Sequence, residues 1–297
     1  MKATERGILL LTCPLGEPGR KPLSVAQFRE LVRRMQAFSC KDPDRQLKAG
    51  DLTGLGYSRM EAEHILELLE GDALLDRYLA AAKVLGIRPV TRVSEEYPVI
   101  LRKRLGLKAP GVLWVRGDAG LLEETAIALV GSRELREENR RFAEEAGRQA
   151  SRQGLVLVSG NARGADKAAQ QACLEAGGSV ISIVADELSG HEPEEKVLYI
   201  SENSFEESFS PYRALSRNRI IHALGRTVLV AQADLRKGGT WDGTVKNLRQ
   251  GWSPVVCFRD GSQAEAELEQ LGAYGIGTED LQDFCALGNP GQISFSI

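Results

Sequence analysis

The chain has 297 residues, 42% of them hydrophobic and 27% charged, with a formal net charge of −3. That length allows one large domain or two, and the charge excludes a generally basic nucleic-acid binder; any such affinity must come from locally clustered arginines and lysines. No apolar run is long enough to cross a bilayer. Five scattered cysteines (Cys13, Cys40, Cys173, Cys257, Cys285) argue against a disulfide framework, and His64, His191 and His222 lack metal-ligand spacing. A cytoplasmic protein without metal or cofactor is expected.

The first hundred residues read as helical. The apolar run 8–11 is too short for a signal peptide and reads as a strand or buried turn. Ser24 and Gln27 form a capping box, with Leu23 and Phe28 as a hydrophobic staple, and open a helix to about Met35. Ser58 and Glu61 repeat the pattern after the Gly-x-Gly turn at Gly54 and Gly56. Short helices around such a turn resemble a SAM-like or helix-hairpin-helix module, whose backbone N–H groups can meet DNA phosphates; a ligand-free helical bundle fits as well. A further helix is expected over 73–85, then a strand over 87–93.

From about residue 100 strand and helix alternate. Residues 110–118 read as a strand closed by a Gly-Asp turn. The five apolar residues 126–130 read as a strand buried on both faces, followed by the turn Gly131-Ser132-Arg133 and a helix over 134–153. Strands are expected at 155–159, 180–184, 197–200, 227–231 and 255–258, and helices from 165, over 213–224, 241–249 and 264–271. The fold class is α/β: a doubly wound, mostly parallel sheet preceded by a smaller helical domain. The expected division is a helical domain 1–95, an α/β domain 96–260, and a short tail 261–297 without room for a winged helix.

Three strand ends carry small-residue turns. These are Gly131, Ser132 and Arg133; Ser159, Gly160, Arg163 and Gly164; and Lys237, Gly238, Gly239 and Thr240. In a parallel sheet these ends share one edge, where helix N-termini favour an anion, so the turns form a candidate phosphate site. Asp242 counters this, since it suits the helix start but repels phosphate. Arg213 and Arg217, four apart on a helix, share a face and are assigned to the same edge, whereas Arg219 points elsewhere, toward a structural pairing. No nucleophile elbow, Walker motif or Gly-x-Gly-x-x-Gly turn is present, His222 reads as a packed helix residue, and Asp166 and Glu202 read as acids or as turn residues. No catalytic residue is assigned.

Five blocks in order carry a resemblance: Glu96-Tyr97-Pro98 with the strand 111–118, the run 127–133, the turn 158–166, Ile200-Ser201-Glu202, and Arg217-Asn218-Arg219-Ile220-Ile221. Together they resemble the DNA-processing protein A (Smf) family. The resemblance implies an extended Rossmann-like domain, often after a SAM-like one. It also implies single-stranded DNA binding, self-association as a homodimer, and loading of a RecA-type recombinase during uptake of transforming DNA. This sequence departs from the family's pattern at Gln232, where glutamate is common, in the acidic loop 186–195, and at Gly238-Gly239-Thr240-Trp241. Gly238-Gly239-Thr240 is also similar to the nucleotide-binding turn of Lonely-guy phosphoribohydrolases, without its proline and glutamate. A nucleotide sensor or phosphoribohydrolase-like protein is thus the alternative, and a protein-binding adaptor a third.

Overall fold

The computed structural model describes residues 1–36, 38 and 46–288. Among the described residues, five helices come first: α1 (Ala3–Thr12), α2 (Val25–Met35), α3 (Ala49–Gly54), α4 (Arg59–Leu69) and α5 (Asp72–Val84). The two predicted capping boxes form. Ser24 accepts the Gln27 N–H, and Ser58 accepts the Glu61 N–H. The run 8–11 is neither strand nor turn but the second half of α1, with Ile8, Leu9, Leu10 and Leu11 all buried. Four consecutive apolar residues fit a helix surrounded by other elements as well as they fit a strand, and here α1 lies among α2, α4, α5 and the sheet.

The chain then enters a nine-stranded sheet. Its strands are β1 (Ile87–Thr91), β2 (Val112–Gly117), β3 (Ala126–Val130), β4 (Val156–Ser159), β5 (Val180–Ile183), β6 (Val197–Ser201), β7 (Val228–Val230), β8 (Val255–Phe258) and β9 (Tyr274–Ile276). The helices between them are α6 (Val99–Leu105), α7 (Glu137–Arg152), α8 (Ala165–Glu175), α9 (Pro211–Leu224), α10 (Gly238–Gln250) and α11 (Gln263–Gln270). Strand order is β1-β2-β6-β5-β4-β3-β7-β8-β9. The pairs β1–β2 and β2–β6 are antiparallel, and the rest are parallel. The sheet therefore starts at Ile87 and continues through β9, which pairs with β8.

Every residue of β3 is buried, as a strand covered on both faces requires. Ile127 and Leu129 face a core that includes α7, α8 and the first five helices. Ala126, Ala128 and Val130 face a second core with α6, α9, α10 and α11. The helical part joins the first core through Tyr78 of α5, whose ring meets Trp114 of β2 edge-on at 5.4 Å and whose hydroxyl lies 2.8 Å from Ser204 Oγ. From β3 the chain winds outward to β6, then returns to β7 on the other side. Strand order thus reverses between β3 and β7, and a crevice opens above their carboxyl ends.

Candidate functional site

The three small-residue turns meet in that crevice and are stitched together by hydrogen bonds to backbone carbonyls. Ser132 N–H donates to Gln232 O at 2.9 Å, Ala165 N–H to Ser132 O at 3.2 Å, and Thr240 Oγ1 to Gly131 O at 2.9 Å. Gly131 has no space for a side chain, because a Cβ there would strike the methyl of Ala165. Gln232 clamps the first loop with both ends of its amide: Oε1 accepts the Arg136 N–H and Nε2 donates to Glu134 O, each at 3.0 Å.

Together these turns and the start of α9 enclose a cleft of about 760 Å³. Arg133, Arg163, Arg217 and Lys237 line it, opposed by Glu134, Asp166 and Asp234. Arg217 forms the floor. It is 7% exposed, and its Nε and Nη1 have no hydrogen-bond partner. Its guanidinium rests directly on Gly160, where any Cβ would overlap Nη1 and Cζ. Burial lowers its pKa, Asp166 and Asp186 work the other way, and nearby Arg133 adds like-charge repulsion. A buried cation with unused donors is costly unless nearby negative charge compensates it.

Asp166 is a turn-forming residue. Its Oδ2 accepts the N–H groups of Gly160 at 3.1 Å and Ala162 at 3.2 Å. Burial raises its pKa, and Arg217 is the main opposing influence.

Of the predicted residues, Gly131, Ser132, Arg133, Arg163, Arg217, Lys237, Gly238, Gly239 and Thr240 line the cleft. Helix α10 begins three residues earlier than expected, so Gly238, Gly239 and Thr240 form its first turn, with Lys237 at the N-cap. Arg213 does not reach the cleft. It sits in the first turn of α9, where its guanidinium donates to Ser208 O at 2.7 Å, Ser201 Oγ at 3.1 Å, Asn203 Oδ1 at 3.2 Å and the carbonyl of Glu207. Sharing a helix face with Arg217 did not bring it to the cleft, because the loop after β6 captures its guanidinium. Ser159 is also displaced from the site: it is fully buried in β4 and accepts Gln170 Nε2 at 2.6 Å. Gly160 lies beneath Arg217. Gly164, at φ +88°, packs against the carbonyls of Ser132 and Arg133 and lines a neighbouring hollow.

Asp242 is exposed on α10 and does not line the cleft. Sequence reasoning missed Asp234, Phe209 and Asn218 at the rim; Asn218 Nδ2 donates to Gly239 O at 3.0 Å. Arg219 pairs with Glu202, Nη1 to Oε1 at 3.0 Å. His222 is fully buried, and burial holds its pKa down at about 3. Among the described residues, no group of three or more His, Cys, Asp or Glu side chains could hold a metal ion, and no helix is long and apolar enough to cross a membrane. Cys40 lies outside the described residues; Cys13, Cys173, Cys257 and Cys285 are free thiols.

The family model for DNA recombination-mediator protein A matches residues 88–274, which hold all three turns and the floor arginine. The chain belongs to this family. The DNA processing protein DprA of Bacillus subtilis is 30% identical over 224 residues, covering 70% of this chain and 74% of that protein. The DprA of Streptococcus pneumoniae is 34% identical over 140 residues, 44% of this chain and about half (49%) of that relative. An X-ray structure of DprA from Streptococcus pneumoniae superposes with a TM-score of 0.73 at 25% identity, covering 95% of this chain and 98% of that one. A Helicobacter pylori DprA structure, described for its single-stranded DNA binding mode, shares the fold with a TM-score of 0.55 at 23% identity, over 66% of this chain and 94% of that chain.

Proposed function

We propose that this protein is a DNA-processing protein that binds single-stranded DNA in the β3–β7 cleft without transforming it chemically. In this reading it protects the strand as a homodimer and hands it to a RecA-type recombinase during DNA uptake, in the cytoplasm. The observation that carries the binding step is Arg217, a buried guanidinium with two unused nitrogens beneath a cleft that Arg133, Arg163 and Lys237 also line. Phosphate is an anion that arginine and lysine donors hold through charge-assisted hydrogen bonds. Family membership supports the recombination step, and the names of the Bacillus and Streptococcus relatives support DNA processing. The helical residues before the sheet are proposed as an accessory unit on the first core.

A second reading, a mononucleotide sensor, draws on Gly238, Gly239 and Thr240 at the N-terminus of α10. One salt titration of a labelled oligonucleotide, read by anisotropy and light scattering, separates the two. Single strands lose about 0.7 log units of affinity per neutralised phosphate per log unit of salt, so three to five held phosphates give a slope of about −2 to −3.5. Arg133 is exposed and makes no side-chain hydrogen bond or ion pair among the described residues, so Arg133→Ala is expected to flatten the slope by about 0.7 and weaken all sequences alike. Equal slopes place the site elsewhere. Absence of oligonucleotide binding at low salt favours the sensor, and a constant mass near 32.4 kDa at all concentrations refutes the homodimer.

A further inference from the structure

Beside the cleft lies a second hollow of about 540 Å³, over the first turns of α7 and α8. Arg133, Glu134 and Arg163 line both spaces, and Arg140 and Lys167 belong to the hollow alone. Four cations thus face a single carboxylate there, whereas in the cleft four face three. The outer hollow is the more electropositive of the two.

Its cations are also badly placed for the free protein. Arg140 is the fourth residue of α7 and Lys167 the third of α8, so both stand where the helix dipole disfavours positive charge. Helices α7 and α8 follow adjacent parallel strands and pack so closely that a Cβ on Gly147 would strike the Ala169 carbonyl, which sets their two starts side by side. Arg133, Arg140 and Lys167 have no ion pair or side-chain hydrogen bond among the described residues. Arg163 has one, a 3.5 Å contact with Glu134, both side chains being well exposed. Such a pair contributes little and yields readily to a competing anion.

We propose that this hollow is a second phosphate subsite, which receives the continuation of a polynucleotide whose leading phosphate lies over Arg217. This rests on the single-stranded DNA reading of the cleft. The two spaces then divide the task. The cleft supplies a buried cation at its floor, and the hollow supplies exposed charge whose contribution grows with strand length and fades with salt. Glu134, shared by both, opposes the strand and holds Arg163 until it arrives.

The test compares thymidine monophosphate, followed by protein NMR shifts, with a labelled oligothymidylate of about 20 nucleotides under salt titration. The double variant Arg140→Ala/Lys167→Ala is expected to bind the monophosphate as the wild type does. For the oligonucleotide, its salt slope is expected to be flatter by about 1.4, two phosphates' worth. Its melting temperature is expected to be no lower than that of the wild type, since the replaced cations oppose their helix dipoles. Glu134→Gln is expected to tighten the oligonucleotide. An unchanged slope in the double variant, or equal weakening of both probes, overturns the second subsite. Wild-type binding of the monophosphate and oligonucleotide with the same affinity and slope also overturns it, while leaving the cleft in place; wild-type binding of neither removes the cleft reading as well.

Discussion

The contact between Gly160 and Arg217 gives the sharpest test of the cleft floor. Gly160 does not have a left-handed φ, so alanine there brings no backbone strain; the whole effect comes from its methyl group, which would overlap the guanidinium. A methyl carbon and a planar nitrogen need roughly 3.5 Å, so the guanidinium must retreat by about 1.5–2 Å, enough to break any hydrogen bond its fork makes to a ligand. Overpacking of this kind destabilises by about 1–3 kcal/mol. A hydrogen bond to a charged group contributes about 1.5–3 kcal/mol, so losing one weakens oligonucleotide binding by roughly tenfold to a hundredfold.

Urea unfolding and fluorescence anisotropy at fixed salt measure the two effects separately. Gly190→Ala serves as the control, since nothing lies within 4 Å of a Cβ at that exposed position. If Gly160→Ala binds the oligonucleotide within about twofold of the wild type while remaining folded, Arg217 is not the anchor.

Arg213→Met is expected to lower stability by about 2–4 kcal/mol, because the carbonyls of Glu207 and Ser208 lose their donor, while leaving the salt slope of oligonucleotide binding unchanged; a flattened slope would return Arg213 to the site. His222 carries a pH signature. Its pKa of about 3 in the fold lies below the ordinary 6.5, so below that value the unfolded chain takes up a proton that the folded one refuses, and stability falls as pH falls toward 3. Between about pH 7.5 and pH 5 the loss is about 2 kcal/mol, which His222→Leu is expected to abolish in paired urea titrations; parallel pH profiles would show that the imidazole is not held neutral.

The parts of this fold visible in the sequence are those with local causes. β3 could be read because a strand covered on both faces must be apolar at every position, and the capping boxes because Ser24–Gln27 and Ser58–Glu61 close through their own side chains. α1 could not, since its apolar run is wrapped on all sides and shows no helical stripe. β9 was missed because it has three residues and Tyr274 is exposed at the sheet edge. Among the site residues, the turns at Gly131 and Lys237 announced themselves by composition, but the fates of Arg213 and Arg217 depended on which loop each met. Gln232 was noticed only as a departure from a family pattern; its use of both amide ends emerges only once the loop lies against it.

A protein of net charge −3 can hold a polyanion because charges more than about 10 Å apart are largely screened at 0.1 M salt, leaving local charge to decide. What the cleft needs is a cation that remains charged in a buried place without being neutralised by its own chain. Asp166 meets both conditions. It is near enough to favour the charged form of Arg217, yet its Oδ2 is occupied by the N–H groups of Gly160 and Ala162, and Nε and Nη1 of Arg217 remain without partners. Had Asp166 formed a direct pair with Arg217, a ligand drawn to that guanidinium would have to compete with the pair. On the single-stranded DNA reading, the tight turn at the end of β4 belongs to the binding chemistry: by holding Oδ2 of Asp166, it keeps negative charge near Arg217 without a direct hydrogen bond to the guanidinium.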